Sequence, residues 1–169
     1  MKKILVTLFL CASSFSFSQN RIGITTGIGL PDFIYAGGKY QHKQFEVGLQ
    51  VGSMPSKTLK LLGVGSHFMW HFAGTSKHLE ARPWYAKGHL VYNYDETSAR
   101  INHLLFSGLS VGREFALSER LSLQLDLGVT FITHEKRIEL KPVAQDWSIG
   151  MTTFPAGSFT VFYSFNRLK

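Results

Sequence analysis

The sequence predicts an all-β fold, an antiparallel up-and-down transmembrane β-barrel of about eight strands, on three observations. Apolar and polar residues alternate with a period of two along most of the chain, no helical 3.6-residue pattern persists, and the alternating runs are longer than strands of water-soluble domains. One run shows this most openly. From Leu121 onward, Leu121, Leu123, Leu125, Leu127, Val129 and Phe131 fall on one face, with Ser122, Gln124, Asp126, Gly128 and Thr130 on the other. Its length matches the roughly 9–11 residues with which a tilted strand crosses a bilayer.

The N-terminus is set apart before the strands are counted. Met1-Lys2-Lys3 is basic, Ile4 to Ala12 is apolar, and Ser16 and Ser18 are small, which is the pattern of a cleaved export signal. Residues 1–18 are expected to be removed, leaving residues 19–169 as one domain. The apolar run is well short of the roughly 20 residues a spanning helix needs. A lipid-modified leader is the other rival, because Cys11 follows Leu8-Phe9-Leu10, but such leaders resemble one another in a Gly or Ala where Leu10 stands. Cys11 is the one cysteine, so the exported chain is expected to hold no disulfide and no thiolate metal site. Without Lys2 and Lys3, the 18 basic residues exceed the 11 acidic ones by five, and that excess is scattered. Scattered charge on an exported chain excludes a nucleic-acid partner. Charged residues are 17 % of the chain, below the roughly 25 % of soluble domains, and aromatic residues are 14 %.

The elements follow in order. The first strand, Arg21 to Leu30, sets Ile22, Ile24, Thr26, Ile28 and Leu30 against Gly23, Thr25, Gly27 and Gly29, and Pro31-Asp32 turns the chain. A less regular second strand, Phe33 to Tyr40, contains Gly37-Gly38. In the third, Phe45, Val47, Leu49 and Val51 oppose Glu46, Gly48, Gln50 and Gly52, and Met54 to Leu59 forms a loop. The fourth, Lys60 to Phe72, sets Leu62, Val64, Phe68, Trp70 and Phe72 against Gly63, Gly65, His67, Met69 and His71. After a polar connection, Ala73 to Ala81, the fifth strand, Arg82 to Tyr94, sets Trp84, Ala86, Leu90, Tyr92 and Tyr94 against Tyr85, Lys87, His89, Val91 and Asn93. Asp95 to Asn102 is a loop. In the sixth strand, His103 to Phe115, Leu105, Leu109, Val111 and Phe115 oppose Gly108, Ser110, Gly112 and Glu114. Leu117-Ser118-Glu119 turns into the seventh strand, Glu135 to Thr153 is a long loop, and Phe159, Val161, Tyr163 and Phe165 alternate with Ser158, Thr160, Phe162 and Ser164 in the last.

Volume decides which face lies inside. A barrel of about eight strands has an interior just wide enough for side chains to fill, and rows of Leu, Phe, Trp and Tyr would overfill it. The small polar rows carry few of the Lys and Glu residues that a water-facing wall needs. Polar rows inside and bulky rows toward lipid satisfy both conditions, and aromatics near strand ends then read as interfacial girdles. A secreted soluble barrel carrying a small apolar ligand is the competing architecture.

With these features together, the exported chain resembles the small eight-stranded outer-membrane barrels of Gram-negative bacteria, the group that includes the OmpA transmembrane domain and OmpX. Ser158 to Phe165 looks like the C-terminal signal by which the barrel assembly machinery recognises such proteins, with Tyr163 and Phe165 at its aromatic positions. The resemblance implies an outer-membrane location, a monomer in contact with membrane lipids and lipopolysaccharide, chain ends in the periplasm, and Glu135 to Thr153 as the main surface loop.

Inward positions hold Glu46, His67, His71, Lys87, His89, Glu114 and Asp126. Because an isolated buried charge is costly, these are expected to form a hydrogen-bonded network that fills the lumen, in which Asp126 needs a cation such as Lys87. A metal or proton site built from His67, His71 and His89 is the sharper alternative, but no spacing among them is specific to a metal. No cofactor is expected. Some barrels of this size are lipid A deacylases or acyltransferases; the deacylases resemble one another in a His-x-Ser element, whereas His134 here precedes Glu135 and Lys136 and no His-x-Ser occurs. Lys136, Arg137 and Lys141 are candidate contacts for lipopolysaccharide phosphates, weighed against a simple solvated cluster. The expectation is therefore a non-enzymatic barrel that acts through its surface loops, with a lipid A-modifying enzyme as the alternative.

Overall fold

The computed structural model describes residues 20–54, 60–76, 79, 81–97, 99–140 and 152–166. The export signal at 1–18, Cys11 and Lys141 lie outside the described residues. Eight antiparallel strands form one closed barrel in chain order. They are β1 (Asn20–Leu30), β2 (Phe33–His42), β3 (Phe45–Met54), β4 (Lys60–Ala73), β5 (Trp84–Glu96), β6 (Arg100–Ala116), β7 (Leu121–Glu139) and β8 (Thr153–Ser164). Pairing of β1 with β8, from Gly23 opposite Ser164 to Leu30 opposite Gly157, closes the wall. Closure removes the exposed edges that an open sheet would present.

Alternation in sequence becomes alternation in exposure. Along β3 the burial runs exposed, buried, exposed from Phe45 through Gly52, with Leu49 69 % exposed and Glu46 fully buried. The outward rows are apolar on every strand, from Ile22 and Ile24 on β1 to Leu127 at 78 % on β7 and Phe159 on β8. Inside lie mostly polar and small side chains, with Tyr35, Met69, Tyr85, Val91, Phe106 and Phe162 filling the remaining space.

Three local features differ from the expected elements. First, much of the expected loop Asp95 to Asn102 is strand, and β7 continues to Glu139 against Arg100 at the start of β6. Both faces of this extension are at least partly exposed, so no apolar alternation marks it. A register shift, with Leu105 opposite His134 but Phe106 opposite Ile132, moves the phase around Thr133. Second, Pro31 and Asp32 are buried, because the β1–β2 turn folds into the barrel mouth. The Asn93 side chain donates to the Pro31 carbonyl at 3.2 Å and Gln50 donates to the Asp32 carboxyl at 2.8 Å. Gly52 makes room, since a β-carbon there would collide with the Asp32 backbone. Third, the second strand extends to His42, where a tight turn places Lys43 at a positive φ of 53°. The Leu117 to Arg120 turn is tied by Ser118, whose hydroxyl accepts the amides of Arg120 and Leu121 at 3.3 and 3.1 Å.

Candidate functional site: a charged network across the lumen

Register brings together side chains that are far apart in sequence. Glu46 pairs with Met69, so His67 and His71 flank it on the same inward face. Glu46 also pairs with Gln41, whose inward neighbour two residues back is Lys39. The Lys39 ammonium donates to both Glu46 oxygens at 3.0 Å. His67 Nε2 stands 3.6 Å from one of those oxygens and His71 Nε2 3.9 Å from the other. His71 Nδ1–H donates to the Arg82 carbonyl at 2.7 Å, which fixes that ring. Across the barrel, Arg21 donates to Glu114 at 2.9 Å and to Gln41 at 3.0 Å, while Ser122 and Gln124 donate to the Glu114 carboxylate as well. Phe162 is the floor of this layer: Lys39 Nζ lies 3.9 Å and the Arg21 guanidinium 4.8 Å from its ring centre. Two anions and two fixed cations thus share one desolvated layer near the barrel end that carries the chain ends. Each carboxylate has the counter-charge and hydrogen bonds that burial demands.

A second layer lies deeper. Asp126 accepts from Lys87 at 3.0 Å, from Ser158 at 2.6 Å and from Tyr85 at 3.3 Å. Tyr35 and Thr160 share a hydrogen bond, and His89 Nε2 meets the Thr130 hydroxyl at 3.1 Å. Above them sits the inward-folded turn. Burial pushes the Asp32 carboxyl up to about 6, against the opposing pull of Lys87 and of the Gln50 hydrogen bond. Its Oδ1 has no hydrogen-bond partner among the described residues. The small enclosed space between Asp32, Lys87 and Asp126 measures about 10 Å³, room for about one water at most.

Searches against protein-family models, curated proteins and solved structures found no match.

All seven expected lumen residues are buried. Glu46, His67, His71 and Glu114 share the lower layer, Lys87 and Asp126 the upper one, and His89 stands with Thr130. His67 and His71 both face Glu46, whereas His89 stands apart with Thr130. Ligand atoms of Glu46, His71 and Glu114 do lie within 4.8 Å of one another, but Lys39 and Arg21 hold the two carboxylates, so a metal ion would have to displace a buried cation. Arg21, Lys39, Gln41, Tyr85 and Asp32 are network members that the sequence reading left out. Arg21 shares the parity of Gly23 and Thr25, so its inward position was readable, as was that of Tyr85 beside Lys87 and His89. Lys39 lies on the glycine-containing β2, where alternation is weak, and no sequence signal places Asp32 inside. Of the expected surface cations, Lys136 is exposed and Arg137 pairs with Glu135 at 2.8 Å. Tyr163 and Phe165 are exposed on the outer face, their rings 6.2 Å apart and close to perpendicular at 76°.

Proposed function

We propose that this chain is a non-enzymatic integral protein of a Gram-negative outer membrane, a narrow plugged barrel whose role is structural or interactive through its surface loops. The observation that carries the reading is inverted polarity. Large apolar side chains are exposed on all eight strands while ionised groups are inside, as expected where lipid rather than water meets the wall. On a water-soluble monomer this belt would far exceed the few hundred Å² of contiguous apolar surface such proteins tolerate. Aromatic residues sit near strand ends, Trp84, Phe115 and Tyr163 at the end with the chain ends and Tyr92 and Phe131 toward the other, consistent with two interfacial girdles. That first end is the periplasmic one in this reading, and Tyr163 and Phe165 belong to the signal read by the assembly machinery. The opposite end, extended by β6 and β7 and carrying Lys136 and Arg137, is the surface that meets lipopolysaccharide and any partner. The lumen network serves as a rigid plug.

The test is membrane fractionation followed by gel electrophoresis of detergent-extracted protein with and without boiling. The protein is expected in the outer-membrane fraction, with a mobility that changes on boiling. Recovery as a soluble protein without detergent, with no mobility change, would overturn the placement and favour the soluble ligand carrier.

A further inference from the structure

We propose that the outer wall carries a binding site for one phospholipid, its phosphate held by Arg113 and an acyl chain lying in an oblique groove floored by Gly157. The site depends on the membrane placement above. Arg113 is an exposed cation in the outward row of β6, between Val111 and Phe115. Its guanidinium lies 5.5 Å from the Trp84 ring and 5.1 Å from the Phe115 ring. No ion pair to it forms among the described residues. An arginine facing lipid costs about 2–4 kcal/mol at the bilayer midplane and about 0–1 kcal/mol near the interface, so this one belongs at headgroup level. There a phosphate is the natural counter-charge, and the planar guanidinium offers it two parallel donors.

A groove of about 1010 Å³ begins at this cation. From Arg113 it follows one register row through Leu125 and Phe159 to Ile28, crossing four strands. In the adjoining row Gly157 stands between Leu30 and Leu127. With no side chain between two exposed leucines, the wall dips there. A β-carbon at Gly157 would come within 3.0 Å of the Leu127 side chain, so a larger residue would fill the trough. The depression is shallow and open along its length, so an occupant would lie along the wall with one side toward the surrounding lipid. One end is cationic and ringed by aromatic groups, and the remainder is apolar, which is the charge pattern of a lipid with one phosphate. Arg113 lies toward the barrel end with the chain ends, hence in the leaflet that faces the periplasm.

Native mass spectrometry of the detergent-released barrel, with phosphatidylglycerol or with diacylglycerol of the same chains, tests the site. The folded protein is expected to retain phosphatidylglycerol in preference to diacylglycerol. Arg113→Gln should lower that retention about tenfold or more, the effect of losing a charge-assisted contact. Gly157→Leu should lower retention of both lipids. Equal retention of the two lipids, or unchanged retention in an Arg113→Gln protein that still shifts on boiling, would overturn the site and leave the membrane placement standing. Should Gly157→Leu fail to fold, Arg113→Gln decides alone. A wild-type protein that neither fractionates with membranes nor shifts on boiling would remove the placement, and the site with it.

Discussion

Lys39 is the cation that both Glu46 oxygens share, and it is almost fully buried, with its side chain 1 % exposed. A carboxylate deprived of its counter-charge in such surroundings is strongly destabilising, by about 3–5 kcal/mol when one partner of a buried pair is removed. Lys39→Met is therefore expected to lower the stability of the barrel in phospholipid vesicles by that amount, read from the midpoint of urea unfolding. Adding Glu46→Gln to Lys39→Met should recover a large part of the loss, because the stranded charge goes with its partner. A Lys39→Met protein within about 1 kcal/mol of wild type would show that Glu46 does not depend on this cation. The same logic explains why Phe162, an aromatic ring, stands in a charged lumen: it packs beneath two cations and leaves no polar atom of its own to satisfy.

At the scale of elements, the β1–β2 hairpin is the part of the wall whose turn does two things, joining strands and closing the mouth. Its seat depends on the proton at Asp32. In the seated turn that carboxyl is raised from 3.8 to about 6 by burial, while a released turn would restore the ordinary value. Below about 4 both forms carry the proton and seating is at full strength. Between about 4 and 6 the released form ionises while the seated form keeps its proton, so seating weakens as pH rises. Above about 6 both are ionised and the penalty stays constant, on the order of 3 kcal/mol. Hydrogen exchange at the Asp32 and Phe33 amides, corrected for intrinsic rates, should show protection falling between pH 4 and pH 7 in the wild type. Asp32→Asn should hold protection level across that range. Wild-type protection that does not change with pH would mean that the turn never leaves its seat as a unit.

Across the whole molecule, two charged layers and a folded-in turn cross a lumen that has little free space left at its upper layer. Lys39, Glu46, Arg21 and Glu114, all buried, meet over Phe162 in the lower layer. In planar bilayers the purified barrel is expected to give no sustained current steps of porin size. Regular open steps would require the layers to part, contrary to a rigid plug. The outer surface follows a different rule, since its apolar rows need only be apolar and bulky, and the groove at Gly157 is one place where that wall departs from uniformity.

Strand number, the alternation of faces and the polar character of the interior were legible in the sequence, because a period of two is a local property that each strand carries by itself. The residues Glu46, Lys87, Glu114 and Asp126 could be assigned to the inward face on parity alone. Their partners could not be assigned so generally. Parity tells which face a side chain takes but not its height in the barrel, and height follows from strand register and the stagger that closes the wall. Lys87 and Asp126, anticipated as a pair, are 39 residues apart, and Arg21 meets Glu114 across 93 residues of chain. The extension of β6 and β7 escaped notice because strand pairing above an apolar belt leaves no apolar pattern, and the burial of Asp32 because a turn sequence is the same whether the turn points outward or in. Those contacts are decided only when all eight strands close, since closure alone brings opposite walls within reach of each other.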